Sequence, residues 1–165
     1  MRMTLQLALA ALTAALAGTP AQSATEVSFV KPERFRDADV AGALGEIRRH
    51  LERLGGRLDP ALTLRIAVLD VDLAGREPFG QGPLAPRILD GVSWPSIEVR
   101  YTLTRGGKVI ASGKDQISDR TFDMRPEITS SSSDPLRYEK AMLDRWFERQ
   151  FAAYRADQSS PARRR

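Results

Sequence analysis

Residues 94–118 read WPSIEVRYTLTRGGKVIASGKDQIS, and this stretch decides the fold. Ile97, Val99, Tyr101 and Leu103 alternate with Glu98, Arg100, Thr102 and Thr104. A period of two turns one side of a strand toward a core and the other toward water. Arg105-Gly106-Gly107 then leads into a second strand over 108–118. A three-residue loop with glycine in the left-handed position would pair Leu103 with Val109 and Tyr101 with Ala111, like with like, whereas a two-residue loop would set Val99 opposite Lys114. The three-residue register is the expectation.

Upstream, Leu62 to Leu73 is a strand with a change of phase. Leu64, Ile66 and Val68 share one face and Leu69, Val71 and Leu73 the other, so the end carrying Asp70 and Asp72 either is buried on its opposite side or contains a bulge. Before it, Val40, Leu44, Ile47, Leu51 and Leu54 fall within an arc of about 80° at helical spacing. Asp37 or Asp39 can cap that helix and Gly55-Gly56 stops it. A first short strand, Glu26 to Lys31, carries Val27, Phe29 and Val30 and ends at Pro32. Downstream, Ser133 or Asp134 followed by Pro135 opens a last helix whose apolar face holds Leu136, Leu143, Trp146, Phe147, Phe151 and Tyr154. The order β-α-β-β-β-α predicts an α+β domain, an antiparallel sheet of three to four strands with two helices packed on one face. Residues 74–93, rich in proline and glycine, make an irregular excursion of a length that is uncommon in compact domains.

The ends of the chain read differently. Arg2 precedes an uncharged apolar run from Leu5 to Ala17, Gly18-Thr19-Pro20 breaks it, and Ala21-Gln22-Ser23 sets small residues where a signal peptidase cuts. Residues 1–23 are therefore expected to be a signal peptide, 24–155 a single globular domain, and 156–165 a disordered basic tail. The apolar run is shorter than the roughly 20 residues that span a bilayer, so no transmembrane segment is expected after cleavage.

Composition narrows the chemistry. The 165 residues include 25 Lys+Arg, 21 Asp+Glu, one histidine and no cysteine, for a net charge of +4. Removing Arg2 leaves +3, and Arg163-Arg164-Arg165 accounts for all of it, so the domain is formally neutral. That argues against a nucleic-acid binder, which shows a basic face with interleaved aromatics. The absence of cysteine excludes thiolate metal sites, a cysteine nucleophile and disulfide staples.

Three blocks carry a family likeness: Leu69-Asp70-Val71-Asp72-Leu73-Ala74-Gly75, then Trp94-Pro95 with the Tyr101 strand, then Asp134-Pro135-Leu136-Arg137-Tyr138-Glu139-Lys140 with Leu143 and Trp146-Phe147. From about Glu26 to Tyr154 the chain resembles the domain-of-unknown-function family 3016, whose members are small secreted bacterial proteins. The resemblance implies a periplasmic address and no particular activity, cofactor or catalytic residue.

Among the residues themselves, Asp70 and Asp72 stand two apart on a strand, so both carboxylates can address one cation or one proton. The plainer reading is that they bond backbone amides of the Gly75 turn. Glu139 lies about 40° from Leu143 on the last helix, near enough to the apolar face to be partly buried, with Arg100 or another strand arginine as its expected partner. Gln150 shares that face. His50 borders the first helix's apolar stripe, and no serine carries the glycine frame of a nucleophile elbow. Trp94 either lines a groove or covers the end of the core. These features predict a non-catalytic, monomeric binding or accessory protein of the bacterial envelope, with no cofactor, no metal and no catalytic residue. Its expected partner is an envelope protein or a small ligand, and Asp70, Asp72, Trp94 and Glu139 are the candidate contacts. The alternative is a metal-dependent or carboxylate-based hydrolase using Asp70 and Asp72. A third possibility is attraction of the arginine tail to anionic lipid.

Overall fold

The alternating stretch becomes the third strand of a four-stranded sheet. The computed structural model describes residues 23–36, 41–76, 87–89, 92–124 and 133–156. Within them the elements follow one another as β1 (Ala24–Phe29), α1 (Ala41–Gly55), β2 (Leu62–Asp72), β3 (Ser96–Arg105), β4 (Lys108–Ser118) and α2 (Arg137–Phe151). The strands lie side by side in the order β1-β2-β3-β4. One face of the sheet, bearing Val27, Leu64, Ile66, Val68, Ile97, Val99, Tyr101 and Leu103, shares a single core with both helices. On the other face Arg65 and Arg100 are exposed among the described residues. Burying each large aliphatic side chain of this core contributes about 1.5–3 kcal/mol relative to leaving it in water.

The sheet is mixed, where a wholly antiparallel one was expected. β1 runs parallel to β2, from Ala24 opposite Thr63 to Phe29 opposite Val68, while β2, β3 and β4 form an antiparallel meander. A parallel neighbour requires a crossover of a dozen or more residues. The connection through α1 supplies it, bringing the chain back to begin β2 at the same end as β1.

The hairpin register also differs from expectation. Arg105 pairs with Lys108 across a two-residue Gly106-Gly107 turn, with φ of 54° and 80°. Two successive left-handed residues give the tight turn whose twist matches that of the strands, and glycine adopts it without a Cβ clash. Leu103 then faces Ala111, Tyr101 faces Gly113 and Val99 faces Asp115, because Ile110 is an extra residue bulged out of β4. The bulge, not the loop, prevents Val99 from meeting Lys114. β2 uses the same device. Val68 pairs with Val99 but Asp70 pairs with Glu98, so Leu69 is the extra residue and the bulge alternative holds. It returns Val71 and Leu73 to the buried side.

In α1, Ile47, Leu51 and Leu54 are buried as predicted, but Ala43 is buried where Leu44 is only partly so. Val40, Asp37 and Asp39 lie outside the described residues. α2 begins at Arg137, just after a Pro135-Leu136 turn, and the Asp134 carboxylate accepts the Leu136 N–H at 2.9 Å. Met142, Leu143, Trp146, Phe147 and Phe151 fill the core side of α2. Tyr101 and Trp146 both meet the Phe151 ring edge-on. The expected signal peptide, apart from Ser23, and the arginine tail lie outside the described residues. Ser23 is buried, and its hydroxyl donates to the Gly55 carbonyl at the end of α1, 2.5 Å away. Among the described residues no helix is long and apolar enough to cross a membrane.

Candidate functional site

The bulge at Leu69 sets the acidic end of β2 where the segment after β1 passes. Asp70 accepts two bonds from Arg36, one from its backbone N–H at 2.9 Å and one from Nε at 2.5 Å. Arg36 also reaches Asp72 Oδ2 at 3.5 Å and donates to Ser96 Oγ at 3.4 Å. The guanidinium thus sits between the two carboxylates, where a cation would have to sit. Its pKa is raised by the Asp70 hydrogen bond against the cost of burial. The structure does bring Asp70 and Asp72 together, but around Arg36, which no local pattern in the sequence marks. No cluster of three or more acidic or imidazole side chains able to hold a metal occurs among the described residues.

The backbone amide expected to be satisfied by Asp70 or Asp72 is taken by Glu139. This carboxyl is 1% exposed, and Oε1 accepts the Ala74 N–H at 2.8 Å, while no partner faces Oε2 among the described residues. Arg100, the partner expected for Glu139, is exposed on β3, whose other face holds the core. The charges nearest Glu139 are those of Arg87 and Arg137, and Arg87 also donates to the carbonyls of Ala74 and Gly75, at 2.9 and 2.7 Å. Burial pushes the Glu139 carboxyl up to about 7, against the pull of the Ala74 amide and both arginines. Reciprocal backbone bonds between Arg76 and Ile88, both 2.9 Å, close the neck of the excursion after β2. Gly75 turns that neck at φ 69°, and a Cβ there would lie 2.4 Å from the Ile88 carbonyl oxygen. Glu139 therefore ties α2 to the turn at Ala74-Gly75 that follows β2. Arg87 was missed in the sequence because nothing local marks an arginine that will fold back on a turn thirteen residues earlier.

His50, 7% exposed, joins the helices. Nε2 faces Asp144 Oδ1 of α2 at 2.9 Å, and Nδ1 faces Arg53 at 2.9 Å. An arginine can only donate, so Nδ1 accepts and Nε2 carries the proton given to Asp144. Both ring nitrogens are engaged, and the position that a serine nucleophile would need in a triad is filled by a cation. Trp94 stays 38% exposed at the entry to β3, with the Arg120 guanidinium over its ring at 4.7 Å.

A groove of about 370 Å³ opens along the outer edge of β4, between that strand and α2. Lys114, Asp115, Gln116, Trp146, Arg149 and Gln150 line it. Three core-side positions of β4, Ala111, Gly113 and Asp115, are small or polar, while the fourth, Ile117, is buried in the core. Ala111 and Gly113 leave the flank of α2 uncovered, and a Cβ on Gly113 would strike the Tyr101 ring at 2.8 Å. Trp146 Nε1 donates to Asp115 at 2.8 Å and Gln150 to the Tyr101 hydroxyl at 2.5 Å, so the floor is polar and satisfied. Helical periodicity places Gln150 on the face of Glu139, but the groove depends on a strand neighbour that periodicity cannot show.

Residues 23–149 match a family model described as Protein of unknown function (DUF3016). No curated protein matches the chain.

Proposed function

The chain belongs to the DUF3016 family, and from that premise we propose that it is an exported, non-catalytic binding protein of the bacterial envelope. One observation carries the reading. Of the candidate groups for acid–base or metal chemistry, Asp70 and Asp72 are engaged by Arg36, His50 by Asp144 and Arg53, and Glu139 is sealed in the interior with its Oε1 held by the Ala74 amide. The groove beside β4, in contrast, is open. Export is supported by the charged start, apolar run and small residues over 1–23. Deleting residues 5–17 should leave the protein in the cytoplasmic fraction.

Thermal melting with calcium or magnesium tests the reading against the hydrolase alternative. A bound ion stabilises the folded state by mass action, and no shift in midpoint is expected at millimolar metal. A rise that vanishes in Asp70→Asn or Asp72→Asn would replace the binding reading with the metal-dependent one. Affinity capture from envelope extract, with the purified protein as bait, then asks for the partner directly.

A further inference from the structure

We propose that β4 and the adjoining flank of α2 form a strand-addition site for an extended, acidic peptide segment of a partner protein. The inference rests on the binding reading above and names the kind of partner. Among the described residues β4 ends the sheet on its side. In an antiparallel ladder alternate residues turn their N–H and C=O away from the neighbouring strand, so β4 presents a row of such groups outward. Among the described residues no backbone bond from another element reaches them. Natural sheets blunt such edges with bulges and lysines. Here the bulge at Ile110 and Lys108 lie next to the turn, Lys114 is the one lysine between Ala111 and Ser118 and is drawn to Glu98 of β3, and the pairing with β3 along that stretch runs without interruption. That is ample length for a bound strand.

The groove adds what a bare edge lacks. A strand laid beside β4 would project alternate side chains toward α2, onto Trp146 and Gln150, and main-chain bonds would supply affinity while these contacts supply selectivity. Charge selects the occupant. Lys114 bonds Glu98 at 2.5 Å and the Asp115 carboxylate is held by the Trp146 indole. Arg149, exposed on the helix side of the groove, enters no ion pair among the described residues. Two copies meeting through this edge would bring Arg149 and Lys114 against themselves, whereas a carboxylate on an incoming strand meets Arg149 directly.

The experiment uses the purified protein and a display library of random octapeptides. Selected peptides are expected to carry Asp or Glu at a fixed position and to slow amide exchange at alternate residues of Ala111–Ser118 at least about tenfold, amides that exchange fast in the free protein. Arg149→Glu should weaken a selected acidic peptide roughly tenfold while Arg149→Lys stays within about twofold, and N-methylating alternate peptide amides should abolish binding. Absence of any binder, binders without carboxylates, or protection away from β4 would each overturn the proposal. So would sedimentation as a dimer with the β4 edge protected, which makes the occupant a second copy. If envelope capture yields a partner whose binding is indifferent to Arg149→Glu, strand addition fails and the binding reading stands; metal-dependent stabilisation removes the binding reading itself.

Discussion

Glu139 shows how one side chain can serve structure at a cost that depends on pH. Its carboxyl is needed as an acceptor, because the buried Ala74 amide would otherwise lose its bond, yet its charge is unwelcome where water is excluded. With the folded value raised to about 7 from 4.5, the folded state holds its proton more tightly than the unfolded one. The associated stability is complete below 4.5 and is lost as pH rises through 7, a loss of up to about 3 kcal/mol. Glu139→Gln keeps an oxygen for Ala74 and has no proton to lose. Chemical denaturation at pH 5 and pH 8 should show the wild-type protein weaker at pH 8 and the Gln variant equally stable at both; a wild-type protein with no such loss would mean the carboxyl is solvated. Glu139→Ala, which strands the Ala74 N–H, should cost about 1–3 kcal/mol at either pH. Gly75→Ala tests the same joint from the other side. Its methyl would collide with the Ile88 carbonyl in a left-handed backbone, so faster amide exchange at Arg76 and Ile88 is expected, with the centre of the sheet little affected.

At the scale of elements, alternation in β3 was legible because each residue's face follows from its own position in the strand. Tyr101→Asp should therefore destabilise the domain by more than about 3 kcal/mol, since it removes the ring packed on Trp146 and Phe151 and buries a charge. Thr102→Asp, one residue on and facing the open side, should cost less than about 1 kcal/mol, and equal losses in urea titrations would refute the assigned faces. What strand sequences do not encode is their neighbour. Nothing within Ala24–Phe29 distinguishes a parallel from an antiparallel partner, and the direction came instead from where α1 delivers the chain. The β3–β4 turn was misread for a related reason: a three-residue loop, and a two-residue loop with a bulge at Ile110, both keep polar and apolar faces apart, and only the glycine pair at 106 and 107 favours the second. At Leu69, by contrast, the phase change in the sequence narrows the reading to two alternatives, burial on the opposite side or a bulge, and the strand pairing selects the bulge, which returns Val71 and Leu73 to the core.

Across the whole molecule the chemistry was less legible than the core, because each candidate group is completed by a residue far away in the chain: Asp70 by Arg36, His50 by Asp144, Glu139 by Ala74. Pairings both local, at Asp134, and distant, at Asp144 and Glu139, also shape how the fold responds to acid. Burial alone would raise Asp134 and Asp144, but Lys140 with the Leu136 amide overcomes it at the first, and His50 overcomes it at the second, so both end below 3.8. A lowered carboxylate contributes stability that is present above its unfolded value and disappears as pH falls through its folded one. Glu139 acts in the opposite sense between 4.5 and about 7. The two trends meet in the mildly acidic range, so melting temperature should peak there, falling on the acid side through Asp134 and Asp144 and on the neutral side through Glu139. Asn at 134 and 144 retains an acceptor for Leu136 and for His50, so the double variant Asp134→Asn with Asp144→Asn should flatten the acid limb and leave the neutral limb intact, whereas Glu139→Gln should do the reverse. Melting curves of these variants at half-unit steps from pH 3 to pH 8 decide the matter, and a limb that survives removal of its own carboxylates would assign the pH response to overall charge repulsion instead.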